Sequence, residues 1–267
     1  MPTFRPHSKT RGMTMLEAIV AIAIMGIVAL SLAALSTAVE TTSEYTFGHG
    51  AAIQQARVAL RRIQHKISTA TATEDFPGCF VFSEFIGGAD FPDTLVVWSP
   101  SSGAPANAGG PPLYSELLIY CADPAVPNEF VELRAATDTR STPDLSDMST
   151  WLTELAAIKA DGAVARSVLI KTLRTAVPNN LAAERGVVRF TLRVFPSPTE
   201  WASYQAGNTT WDNLAWVQDI HGANFGLRQS WCQIELQLLA DEVGTVDSSE
   251  QILPFFGSAA LYYQLEK

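Results

Sequence analysis

The chain is poor in the residues and motifs that catalysis and metal binding need. Its four histidines, His7, His49, His65 and His221, are scattered through 267 residues with no partner at metal-ligand spacing. There is no CxxC pair, no G-x-S-x-G elbow and no glycine loop of the phosphate-cradling kind. These absences remove the usual signatures of dithiol redox chemistry, of elbow-type serine hydrolases and of P-loop nucleotide binding. No enzymatic activity, catalytic residue, metal or cofactor is expected. Basic residues are also few, with 18 Lys and Arg against 27 Asp and Glu. The net charge of −9 includes +3 from Arg5, Lys9 and Arg11 in residues 1–12, which leaves −12 for the rest. An acidic body argues against binding nucleic acid through a general basic surface. Only one uncharged run is long enough to cross a bilayer, which excludes a multi-span transporter.

That run opens on Gly12-Met13-Thr14-Met15-Leu16-Glu17, and residues 18–39 after it carry no charge. Glu17 is the odd member. A carboxylate at the edge of a hydrocarbon layer costs a few kcal/mol unless something neutralises it, so an intramembrane acid is a functional candidate. The basic residues 1–12 should stay on the cytoplasmic side. The arrangement resembles the processing site of the type IV pilin superfamily, which includes type IV pilins and the pseudopilins of type II secretion. The resemblance implies cleavage by a prepilin peptidase between Gly12 and Met13, methylation of the new N-terminus at Met13, and an assembly role for Glu17. The family usually has Phe where this chain has Met13, and Met is an accepted variant. Cleavage would free an ammonium one helical turn from Glu17. In a packed filament, Glu17 of an arriving subunit could pair with the Met13 ammonium of its neighbour. Each charge would then remove the cost of burying the other and fix an axial register.

The competing reading is an ordinary secretory signal peptide, cut after Ser36-Thr37-Ala38. Against it, the apolar stretch Ala18 to Val39 exceeds a signal-peptide core of roughly 7–15 residues and is long enough to span a bilayer. Such peptides also have no use for a glutamate at the start of the core. The expected organisation is a basic leader over 1–12, a transmembrane helix half over 13–39, an amphipathic helix half over 40–72 and a β-rich globular body over 73–267.

In the second helix half, Ile53, Ala56, Leu60, Ile63 and Ile67 recur at spacings of three and four, and Arg57, Arg61, Arg62 and Lys66 fall mostly off that stripe. Gly48 and Gly50 each cost about 1 kcal/mol relative to alanine in a helix, which predicts a bend or short break. Gly26 reads equally as a close-packing site or as a tolerated membrane-helix glycine. Beyond Phe76 the pattern becomes extended. Strands are expected at Phe80–Phe82 and Leu95–Trp98, and a Ser/Gly/Ala/Pro loop at 99–112. A hairpin should pair Leu117–Cys121 with Phe130–Arg134, followed by a short helix over Trp151–Lys159 capped by Ser149 or Thr150. Val188 to Val194 and Cys232 to Leu238 alternate strictly, the mark of strands with one wet face. The amphipathic stripe is the obvious cover for the dry face. A last strand is expected over Phe255 to Leu265.

Three places in the body invite a functional reading. The insertion around 197–231 carries Trp201, Tyr204, Trp211, Trp216, Phe225 and Trp231. Aromatics on a long loop pin it to the domain, bind a protein partner or stack on a sugar ring, and Trp201, Trp211 and Trp216 are the candidate partner surface. Asp144, Asp147 and Glu154 read as a solvated face or a helix cap before a metal site. Arg57, Arg61 and Arg62 read as the wet side of a helix, or as partners for acids of a neighbouring subunit, before a phosphate site. Cys79, Cys121 and Cys232 are compatible with one disulfide in an oxidising compartment, Cys79 with Cys121 as the candidate pair, or with three buried free thiols.

The N-terminal motif covers about the first 40 residues and does not separate pilins from pseudopilins. A mature chain of about 255 residues is larger than most major subunits and suggests a minor one near a filament tip. The run Gln55-Ala56-Arg57-Val58-Ala59-Leu60-Arg61-Arg62-Ile63, leading into short strands, resembles the J-type minor pseudopilin. The K-type usually lacks the glutamate that Glu17 supplies here. The resemblance implies an α+β, pilin-like fold and insertion in the inner membrane with the body in the periplasm. The implied partners are other pseudopilins or pilins, a prepilin peptidase, an assembly platform and membrane lipid. A minor type IV pilin for adhesion, motility or DNA uptake is the first alternative, and a membrane-anchored periplasmic binding domain that never polymerises is the second.

Overall fold

A computed structural model describes residues 13–86, 88–107, 109–177, 183–218, 224–240 and 252–264. The leader, Gly12 and His221 lie outside the described residues. The architecture is α+β: one long N-terminal helix precedes an antiparallel β body. Helix α1 runs Met15–Ser68, and the chain divides into two compact units, Met1–Phe47 and Gly48–Lys267.

In the first unit, residues 18–39 are uncharged, mostly apolar and almost all exposed, with Ile22, Met25 and Leu30 more than two-thirds accessible. A helix that is apolar all round needs an apolar surrounding rather than one covered stripe. Several of its hydroxyls are satisfied by the helix itself. Ser31 donates to the Ile27 carbonyl at 2.9 Å, Thr37 to Ala33 at 3.1 Å and Thr42 to Ala38 at 2.7 Å. No hydroxyl in this set needs water, which is the condition for placing serine and threonine in hydrocarbon.

The second unit is built around the rest of α1. Strands β1 (Cys79–Ile86), β2 (Ala89–Trp98), β3 (Leu117–Ala122) and β4 (Phe130–Arg134) form an antiparallel meander. It is completed by β5 (Ala165–Ile170) after helix α2 (Met148–Ala160). A two-residue pair, β6 (Thr175–Ala176) with β7 (Arg185–Gly186), leads to β8 (Val188–Phe195). Helices α3 (Pro198–Gln205) and α4 (Ala215–Gln218) follow, then β9 (Leu227–Leu239) and β10 (Ile252–Gln264). A second sheet has the order β10-β9-β8.

The expected stripe is the centre of the body. Ala52, Ala56, Ala59, Leu60, Ile63 and Ile67 are buried against inward residues of both sheets: Leu95, Leu118 and Tyr120 from one, Phe190, Ile234 and Leu236 from the other. Ile53 is only half-buried, and Ala52 and Ala59 extend the stripe to a side the spacing did not mark. Gln55 accepts from the Lys171 backbone at 3.0 Å and Gln64 donates to the Ser258 carbonyl at 3.0 Å, so both flanks of the helix are tied down.

The five-stranded sheet is covered on its other face as well. Val96, Trp98, Ile119, Cys121, Val131 and Leu133 pack there with Trp151, Leu155 and Ile158 of α2. Burial on two faces explains why β2 to β4 read as nearly continuous apolar runs, while β8 and β9, wet on one face, alternate. The expected strands and the 117–134 hairpin are present. The cap of α2 is a correction: Asp147 takes the N-cap and accepts from Thr150 N at 3.2 Å, while Ser149 and Thr150 donate their hydroxyls to it.

Of the bend or short break expected near Gly48 and Gly50, the break is corrected, since α1 is continuous through both. Gly48 has a packing reason: a Cβ there would strike the Ala240 carbonyl oxygen, whereas one at Gly50 meets nothing within 4 Å. The two glycines should therefore respond oppositely to the same change. Gly50→Ala is expected to raise the denaturant midpoint, by up to about 1 kcal/mol of helix propensity. Gly48→Ala should lower it despite the same gain. Urea unfolding of the full chain in detergent, followed by tryptophan fluorescence, checks both.

Candidate functional site

The chemistry of the N-terminal motif starts at a helix end, where the first backbone N–H groups have no partner inside the helix. Thr14 caps α1. Its hydroxyl accepts from Glu17 N at 3.3 Å, and Glu17 Oε2 accepts in return from Thr14 N at 2.9 Å and from the Thr14 hydroxyl at 3.1 Å. This is a reciprocal capping box, in which a threonine and a glutamate three positions on satisfy each other's orphan donors. The T-x-x-E spacing is present in the sequence, where the charge of the glutamate is the more conspicuous feature. Met13 is exposed beside the cap and Gly12 lies outside the described residues, so the cleavage geometry stays an expectation. From Met15 onward the helix is long and apolar enough to cross a membrane by length and composition.

In the body, the tryptophan-rich insertion is largely consumed by its own packing. Trp211 and Trp216 are 4% and 3% exposed and form a third small core with Leu214. Phe195 stacks on Trp216 at 5.4 Å, Tyr204 meets Trp211 edge-on at 5.7 Å, and the Trp216 indole donates to the Leu227 carbonyl at 3.0 Å. Ser197, Pro198 and Glu200 open α3 with a second capping box. As a partner surface, Trp211 and Trp216 are corrected: their rings hold the insertion onto β9. Trp201 is half-buried, with the Arg228 guanidinium 4.7 Å from its ring centre.

The candidate Cys79–Cys121 disulfide is corrected too. All three cysteines are buried free thiols, and Cys79 and Cys121 face opposite sides of the five-stranded sheet. Cys79 belongs to the core against α1 together with Cys232, and Cys121 to the core against α2. Burial pushes the Cys121 and Cys232 thiols up to about 12.

Two charged arrangements were not legible in the sequence. Arg62, half-exposed on α1, reaches across to β4 and grips Glu132 with two bonds of 2.8 and 2.7 Å, while the Tyr120 hydroxyl adds a third at 2.8 Å. Arg57 and Arg61 stay on the wet side, as expected. Under α2, a cavity of about 320 Å³ is lined in part by Glu84, Asp93, Lys159 and Arg185. Arg185 bridges Glu84 and Asp93 at 2.7 Å each, and Lys159 holds Glu84 at 3.2 Å and Thr94 at 2.7 Å. The carboxylates of Glu84 and Asp93 are already paired with cations. The Asp144, Asp147 and Glu154 group resolves into local roles: Asp144 accepts from Ser146 N, Asp147 caps α2, and Glu154 pairs with Arg140 at 2.9 Å. Among the described residues, no group of three or more His, Cys, Asp or Glu is placed to hold a metal ion.

A family model described as the prokaryotic N-terminal methylation motif matches residues 7–33. It spans Gly12, Met13 and Glu17 and supports the type IV pilin and pseudopilin superfamily. The motif implies processing by a prepilin peptidase and assembly with other pilins. No curated protein and no solved structure matches the chain.

The Glu132 pairing has a pH signature. Burial alone would raise the Glu132 carboxyl, but hydrogen bonds from Arg62 and Tyr120 outweigh it and hold it below the ordinary value of 4.5. A group lowered on folding contributes stability that is present above its unfolded value and lost as the pH falls through its folded value. Glu132→Gln should therefore cost about 1–3 kcal/mol at pH 7, the range for a buried group left without its partner. The gap to the parent chain should close as the pH drops below 4.5. Urea midpoints across that range check both the size and the sign.

Proposed function

We propose that the chain is a minor pseudopilin, a structural subunit of a type II secretion pseudopilus that sits near the filament tip and supports protein export. The observation that carries this reading is the methylation motif over residues 7–33, opening on a capped helix with Glu17 in its first turn. Processing would cut between Gly12 and Met13 and methylate the Met13 amine. Residues 13–39 would stay in the inner membrane until assembly, with residues 1–12 cytoplasmic and the acidic body in the periplasm. The satisfied hydroxyls of Ser31 and Thr37 support that placement, because neither would be stranded in lipid. The J-type label rests on the Gln55–Ile63 run leading into a β body. An assembly platform, other pseudopilins and lipid are the partners this reading requires, and the protein acts as a building block and not as an enzyme. A minor type IV pilin shares the same motif. Neighbouring genes discriminate, with a secretin and secretion ATPase on one side and a retraction ATPase and major pilin on the other.

The capping box gives a sharper test of assembly than an alanine substitution. Glu17→Gln preserves the reciprocal bonds to Thr14, since glutamine serves at the third helical position as well as glutamate does, but it removes the charge. If Glu17 pairs with a neighbour's Met13 ammonium, both Glu17→Gln and Glu17→Ala should fail to enter filaments while still being cleaved. If the residue only caps the helix, Glu17→Gln should assemble normally. A non-polymerising anchor would tolerate both. Intact-mass and N-terminal peptide mass spectrometry, on membranes from cells carrying the prepilin peptidase, should find a chain beginning at N-methylated Met13. A chain beginning near Val39, or one retaining residues 1–12, would overturn the reading.

A further inference from the structure

We infer that Cys79 and Cys232 are joined as a disulfide when the body folds in an oxidising compartment, with Cys121 left as the spare thiol. The inference rests on the periplasmic placement proposed above for its setting, and on the fold alone for its choice of partners.

The chain around Cys79 is fastened to the register neighbours of Cys232. Ser230 shares a face of β9 with Cys232, since alternate residues point the same way. Its hydroxyl donates to the Pro77 carbonyl at 2.6 Å, two residues before Cys79. Gly78, with φ +81°, lies where a Cβ would strike Leu261, and Leu261 is the β10 partner of Ser230. On the other side of Cys79, Val81 lines one groove with Leu192, and Leu192 is the β8 partner of Cys232. Both cysteines are 0% exposed and belong to the same core against α1. Burial is the main influence raising the Cys79 thiol, and the charge that Cys232 would carry adds to it, as proximity requires. Cys121 has no such route to either, because its side chain lies beyond the sheet in the core against α2.

The chemistry balances with a protein disulfide of the thiol-oxidase class as oxidant. The two thiols give up two protons and two electrons and form one S–S bond, while the oxidant's S–S bond breaks to a dithiol. Exchange proceeds through a thiolate, and burial keeps these thiols protonated once folded, so the bond forms before the core closes. It would tie the first strand of one sheet to the central strand of the other across more than half the chain.

The test is non-reducing peptide mapping of the full chain extracted in detergent after alkylation of free thiols, from cells that export it. The expected result is a peptide pair linked through Cys79 and Cys232 with Cys121 alkylated. Refolding the reduced full chain with oxidised glutathione forms the second arm. A link formed on refolding but absent from cells supports the pairing and counts against the periplasmic placement instead. A link involving Cys121, or no link in either arm, overturns the inference. A melting measurement covers variants that fold poorly: reductant should lower the melting temperature of the parent and of Cys121→Ser, and leave Cys79→Ser and Cys232→Ser unchanged.

Discussion

The burial of one helix stripe holds the body together. Ala52, Ala56, Ala59, Leu60, Ile63 and Ile67 sit between two sheets that do not share a continuous ladder of hydrogen bonds. Each fully buried Leu or Ile is worth about 1.5–3 kcal/mol, but the alanines matter as much by being small. They let strands from both sheets come close to the helix backbone at once. Gly257 on β10 repeats the device from the other side, since a Cβ there would already press on Leu60 at 3.0 Å. Larger residues at these positions would push a sheet away and open the inner faces of β8 and β9 to water. Close packing leaves little room for such a change.

The same constraint decides what could be read from the sequence. The stripe at spacings of three and four was visible because one face of that helix is buried and the rest is wet. The alternation of Val188 to Val194 and of Cys232 to Leu238 was visible for the same reason. Short apolar runs at Leu95–Trp98 and Leu117–Cys121 gave strands but not their environment, because burial on two faces erases periodicity. Which core Cys121 faces depends on the pleat, and its pairing with Cys79 failed on that point. Long-range charge pairs were invisible throughout. Arg62 and Glu132 lie 70 positions apart, and Arg185 and Glu84 lie 101 apart. No local pattern announces a bond that only the register of distant strands creates. The aromatic insertion misled in the opposite direction, since a row of tryptophans among Gly and Asn has the composition of a binding loop whether it is pinned or open.

The N-terminal motif joins two demands that local reasoning treats separately. A helix start needs an acceptor for its orphan N–H groups, and a subunit interface in lipid needs every buried charge matched. Glu17 can serve both because a carboxylate has two oxygens. Oε2 takes the bonds from Thr14, and no hydrogen bond reaches Oε1 among the described residues. Under the proposed assembly, an arriving ammonium could approach Oε1 without breaking the cap, so the helix end would be organised before the neighbour arrives. A carboxylate already fixed by its capping bonds loses less rotamer freedom on pairing than a loose one, which lowers the entropy cost of the contact. Under that assembly the position of Thr14 would be part of the subunit contact as well as of the helix. A residue there without a hydroxyl would leave Glu17 charged but unaimed.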